Sequence, residues 1–199
     1  MIPDSTDALF LVEVLAVLAM PGPTNSLLFV SGATRGLRTG LHLPVTEVMA
    51  YLISLSLLVF VIGPAAEGHS IVSHVLRVLC GVYLAYMAVF LWRSGQPTSD
   101  AGHPITALRI FVTTLVNPKN LFFAFVIFPA PSAGSEALLL AFVSFSLICI
   151  LAGSAWMAAG AFLHSVGASK MPLHHFYRGE AFLLAGFAIV ILLSAYYSS

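Results

Sequence analysis

The chain has 199 residues, 59% hydrophobic and only 8% charged, with eight basic and eight acidic side chains in formal balance. Soluble domains carry about a quarter charged residues, so a chain of mean hydropathy +1.00 lacks the polar surface to face water, and lipid is its expected solvent. A net charge of zero offers no basic face for nucleic acid, and the length suits one membrane domain over residues 1–199 rather than two soluble ones.

Residues 1–7, MIPDSTD, hold two acids and no Lys or Arg. A cleaved signal peptide begins with a basic region, so the first apolar run is expected to stay as a membrane segment. A spanning helix needs about 20 mostly apolar residues, and six segments qualify: Ala8–Val30, Leu43–Ile62, Ser73–Trp92, Thr106–Phe128, Ala137–Leu163 and Ala181–Tyr197. Helices satisfy their backbone groups internally, and the alternation of a barrel strand is missing. Cys80 and Cys149 lie in apolar runs with no C-x-x-C, which points to packing rather than redox chemistry.

Basic residues set the expected orientation. Arg35 and Arg38 follow span one, Arg93 and Arg109 flank the link between spans three and four, and Lys170 and Arg178 precede span six. These links share one side, and the positive-inside rule makes it the cytoplasm. Both termini then lie outside, with Asp4, Asp7, Glu67 and Glu136. The polar stretch SGQPTSDAGHP at 94–104 reads as a connector. It divides the chain into a first repeat of about 8–93 and a second of about 106–199, joined by a linker over 94–105. Three spans per half give the halves opposite orientation, the layout of an inverted repeat. The expected fold is an all-α membrane protein of six transmembrane helices, two inverted three-helix repeats with broken first and fourth helices.

Those breaks are the main functional signal. Span one contains Pro21, Gly22, Pro23, Thr24 and Asn25; span four contains Asn117, Pro118, Lys119 and Asn120. Interruptions at matching places in two halves mark a transporter's binding site. Proline lacks an N–H and displaces the carbonyl four residues back. Pro21, Pro23 and Pro118 should therefore free the carbonyls of Val17, Ala19 and Thr114. Bare carbonyls are tolerable only against protein, water or cargo. Beyond each break a new half-helix presents unpaired N–H groups and partial positive charge. Such a site suits a zwitterion, its carboxylate toward the N–H groups and its ammonium toward free carbonyls or an acid. Two ordinary proline kinks are the plainer alternative, weakened by the matching positions and the polar residues at both.

The stretches PGPTNSLLFVSGATRGLRTG and VNPKNLFFAFVIFP resemble the two signatures of the LysE/RhtB-type amino-acid exporters, and LCGVYLAYMAVFLWRS is similar to that family's third span. The likeness runs from about Leu9 to Tyr197. It implies a bacterial inner-membrane exporter of amino acids or close derivatives, driven by the proton gradient. Carried over, the site includes Pro21, Gly22, Pro23, Asn25, Asn117, Pro118 and Lys119. The run LHLPVTEVMAYLIS departs from the family pattern: Thr46 and Ala50 stand at the usual glycine positions, Tyr51 and Ser54 at those of an acid and a histidine.

Three charges fall inside spans, where each is costly and normally faces a bundle interior. Lys119 is expected to meet a cargo carboxylate or an acid; the alternatives are a structural ion pair or snorkelling. Glu13 and Glu47 are the proton-coupling candidates. Glu13 is equally well read as an interfacial acid near Asp4 and Asp7, and Glu47 as a partner of Arg35 or Arg38. His42, His164, His174 and His175 show no metal-ligand spacing, and neither a metal nor a cofactor is expected. Small residues in span five, Gly153, Ser154, Ala155 and Gly160, suit close packing within the chain or across a homodimer.

The expected function is export of a small zwitterion by proton antiport. A channel or scaffold without proton coupling is the alternative. An intramembrane enzyme is weaker still, since the chain lacks G-x-S-x-G, H-E-x-x-H and any aspartate within a span. It also lacks a nucleotide-binding loop.

Overall fold

A computed structural model describes residues 5–64, 70–94, 105–166 and 173–197. Asp4, Glu67, the linker over 95–104 and Lys170 lie outside the described residues, as do the side chains of Asp7, Arg38, His174 and His175.

All regular structure among the described residues is helical. Helices α1 (Ser5–Ala19) and α2 (Pro23–Gly40) form a pair bent by 64°. Helix α3 (His42–Leu57) runs on into a wider π-turn, Leu58–Ile62, and α4 spans Ser70–Ser94. Helices α5 (Ala107–Leu115) and α6 (Lys119–Phe122, continued by the π-turn Phe123–Ile127) form a second pair, bent by 51°. Helices α7 (Ser135–Ser165) and α8 (Leu173–Tyr197) complete the chain. Four helices are long and apolar enough to cross a membrane singly; each bent pair taken as one span makes six.

The first span is longer than the apolar run suggested. α2 continues helically through Thr34 and Arg35, and at Gly36 the backbone takes φ 72°, a left-handed conformation that glycine adopts without strain.

Leu28, Leu43, Ile105, Ile110 and Met157 gather around α2, α3, α5 and α7, and two further bodies of packing follow from the apolar faces. One gathers Val14, Leu18, Tyr51, Phe123, Phe145 and Cys149 from α1, α3, α6 and α7. Its centre is aromatic: the Tyr51 ring meets Phe123 at 5.8 Å and Phe145 at 5.3 Å, both edge to face. Tyr51 is thus part of the core. The other pairs α4 with α8 through Leu84, Ala88, Leu91, Ala181, Leu184 and Ala188. Near the end of α4, Trp92 has Phe182 edge-on at 5.1 Å and the Arg178 guanidinium 5.2 Å above its ring, a cation–π contact.

Glycines set how closely the helices approach. A Cβ on Gly32 would lie 2.0 Å from the Met157 carbonyl oxygen, and one on Gly160 would lie 1.9 Å from that of Phe29. α2 and α7 therefore touch backbone to backbone. Gly160, one of the small residues for which a dimer was an option, is engaged within the chain.

Candidate substrate site at two helix breaks

Each break is closed by an asparagine that folds back on the half-helix before it. Asn25, in the first turn of α2, donates through Nδ2 to the carbonyls of Leu18 at 2.8 Å and Met20 at 2.7 Å. Asn120, in the first turn of α6, donates to those of Thr114 at 2.8 Å and Leu115 at 3.0 Å. Of the three carbonyls expected to stand free, that of Thr114 is thereby occupied, whereas Asn25 takes those of Leu18 and Met20 rather than Val17 and Ala19. Val17 also accepts from the Met20 N–H and Thr114 from the Asn117 N–H. Tyr83 of α4 donates its hydroxyl to the Val116 carbonyl. The physical reason is economy of satisfaction: where no water reaches, the chain supplies its own donors. Asn25→Ala and Asn120→Ala are each expected to lower stability by about 1–3 kcal/mol, the cost of buried carbonyls left unpaired. Thermal unfolding of the detergent-solubilised variants measures this.

The two breaks meet. Thr24 Oγ1 lies 3.2 Å from Thr114 Oγ1, and Asn117 Nδ2 donates to Thr24 Oγ1 at 3.3 Å. Asn117 also accepts through Oδ1 from the Lys119 N–H, opening α6. Lys119 reaches across and donates from Nζ to the Met20 carbonyl at 2.7 Å. The second break thus places an ammonium on the carboxyl end of α1, where the helix dipole is negative. Thr24, Asn25, Asn117, Lys119 and Asn120 are all buried, as are Gly22 and Pro118; Pro21 and Pro23 are half-buried.

Lys119 is 6% exposed and has two acids as charged neighbours, Glu47 and Glu180. Glu47 turns inward from α3 and is 1% exposed, whereas Arg35 is exposed. The expected pairing with Arg35 gives way to burial because Gly153 of α7 has no side chain: a Cβ there would lie 2.6 Å from Glu47 Oε2. Cys149 lies beside the same carboxyl group, and among the described residues Oε2 has no hydrogen-bond partner. Glu13 stands half-buried on α1, and it is not among the charges that act on Lys119.

Glu180 was missed. In the sequence it sits in YRGE, beside Arg178, just before the sixth apolar run, where an acid is normally solvated. In the structure it is 2% exposed and neither carboxylate oxygen has a hydrogen-bond partner among the described residues. A signal was present: Glu180 precedes Leu184 and Ala188 at four-residue spacing, on the stripe that buries them against α4.

Two cavities lie on the α4 side of the second break. One, about 360 Å³, is lined by Ser54, Tyr83, Asn117 and Asn120 among apolar residues. The other, about 760 Å³, extends along Cys80, Ala124 and Val190 to Pro129–Pro131. Leu58 and Cys80 line both.

Apolar helices of crossing length around a buried charged cluster define a multi-pass membrane protein. The model of the LysE type translocator family matches residues 15–195. The chain belongs to that family and is a membrane transporter. No curated protein and no solved structure matches it.

Proposed function

We propose that the protein exports small amino acids or their derivatives across the bacterial inner membrane in exchange for protons, holding the cargo where the two breaks meet. The observation that carries this reading is the Lys119 ammonium, buried on a carbonyl of the opposite break with two acids around it. One ammonium against two carboxylates leaves one negative charge unbalanced when both acids are ionised. A buried net charge is costly by several kcal/mol. A proton on one of the acids removes it; a zwitterionic cargo brings no net charge, but its ammonium competes with that proton for a carboxylate, which is the minimum that antiport requires.

Glu47 is the proton carrier in this scheme. Facing it are Lys119 from α6 and Cys149 from α7, with Tyr51 one turn along its own helix. Its cradle of Leu28, Pro44 and Gly153 leaves a proton easier to admit than a cargo.

An inverted repeat with both termini outside the cytoplasm completes the proposal; the packing supports the repeat. Helix α1 packs on α7 as α5 packs on α3; α2 packs on α7 as α6 packs on α3; α4 packs on α8. Exchanging span one with four, two with five and three with six maps these contacts onto one another, with α2–α7 far more extensive than α6–α3 and the α2–α3 contact without an equal. Alternating access then rocks one repeat against the other, and the cavities running from the second break to Pro129–Pro131 are the outward path.

The test is flux from proteoliposomes loaded with single amino acids under an imposed pH gradient. Wild-type efflux is expected to rise with the gradient. Glu47→Gln is expected to lose that response yet keep exchange of amino acid against amino acid. Wild-type flux that ignores the gradient favours a channel and sinks the antiport reading.

A further inference from the structure

We propose that Glu180 and Lys119, facing each other across Gly22, form a dipolar seat in which Glu180 takes the α-ammonium of an amino-acid cargo and Lys119 its α-carboxylate. This rests on the export reading above and assigns to it a binding residue outside both breaks.

The geometry is that of an open slot rather than a closed ion pair. A Cβ on Gly22 would lie 2.8 Å and 3.1 Å from the two Glu180 oxygens and 3.1 Å from Lys119 Nζ. The small space over Gly22 is therefore bounded on one side by a carboxylate and on another by an ammonium. Yet the two do not bond: Nζ is held on the Met20 carbonyl, and both Glu180 oxygens are without a partner among the described residues. A purely structural pair would be expected to close, since a buried carboxylate left unpaired is costly.

Gly22 reinforces this. Its φ of −165° and ψ of 176° are extended backbone that any residue adopts. Glycine is not needed there for conformation, and what it supplies is room between the charges. Arg178, two residues before Glu180, is turned onto Trp92, and among the described residues Lys119 is the cation that acts on Glu180. An α-amino acid has opposite charges on one carbon and fits between two fixed opposite charges. Its side chain would then lie toward the apolar walls of the breaks.

The test is competition in proteoliposome counterflow. Each of the twenty proteinogenic L-amino acids is loaded separately, and the best carried is then challenged with its des-amino acid and its carboxamide. In the wild type both analogues should compete at least about tenfold more weakly than the amino acid, having lost a charge-assisted contact. In Glu180→Gln the advantage over the des-amino acid should fall by about tenfold while the advantage over the carboxamide is kept. Gly22→Ala should weaken the amino acid and both analogues together. Should Glu180→Gln fail to give a folded, monodisperse protein, Glu180→Asp serves. It keeps the charge but withdraws it by one methylene, and should weaken the amino acid without weakening the des-amino acid. A folded Glu180 variant with unchanged discrimination against the des-amino acid overturns the seat while leaving export intact. A wild type that carries none of the twenty overturns the amino-acid reading and the seat with it.

Discussion

Replacing Lys119 with methionine is expected to abolish transport and to destabilise the protein by about 3–5 kcal/mol, the usual penalty for removing one partner of a buried ionic group. Methionine has nearly the length of lysine, so the space stays filled and the charge alone is lost. Three groups then lose their cation at once: the Met20 carbonyl at 2.7 Å, and the carboxyl groups of Glu47 and Glu180. Thermal unfolding in detergent checks the stability, and counterflow checks the transport. The two effects separate in the triple variant with Glu47→Gln and Glu180→Gln. Neutral amides no longer need a cation, so stability should return by most of the loss while transport stays absent. A Lys119→Met protein that transports normally would remove the lysine from both the proton and the cargo chemistry.

Gly160→Ala is the second large effect, and it arises from packing alone. The new Cβ would fall 1.9 Å from the Phe29 carbonyl oxygen, 2.8 Å from its carbon and 3.1 Å from the Ala33 nitrogen. All three are backbone atoms, so no rotamer change relieves the clash and α2 must move off α7. Overpacking a rigid contact costs about 1–3 kcal/mol where side chains can shift, and more where they cannot. Because α2 carries Thr24 and Asn25, its displacement also pulls the first break from the second. The expected outcome is loss of folded protein on size exclusion and loss of flux in what remains. Gly186→Ala is the control: it is on α8 with nothing within 4 Å of the added atom. That change should be neutral or stabilising by up to about 1 kcal/mol. If Gly160→Ala behaves like Gly186→Ala, α2 and α7 do not pack as described.

Some of the site was legible because its causes are local. Proline interrupts a helix wherever it stands, so Pro21, Pro23 and Pro118 located both breaks before any contact was known. Which carbonyls the breaks leave for side chains to satisfy was not legible: of Val17, Ala19 and Thr114, only Thr114 is among them. The carbonyls of Leu18, Met20, Thr114 and Leu115 are occupied by Asn25, Lys119 and Asn120. Asn25 and Asn120 therefore act in the structure as caps, with their donors turned away from any cargo. Glu47 shows the same limit. Its nearest cations along the chain were arginines, but a glycine more than a hundred residues away makes the space that buries it.

By itself the sequence determined the solvent, the six apolar segments, the two broken ones and the family. These depend on composition, on runs of about 20 residues and on proline, properties that act within one segment. Only the tertiary structure decided which charges share a site. Lys119 joins Met20 across 99 positions, and Glu180 reaches Gly22 from the far end of the chain. Electrostatic partnership depends on distance through space, and in lipid it is set by which helix faces the glycines allow to meet.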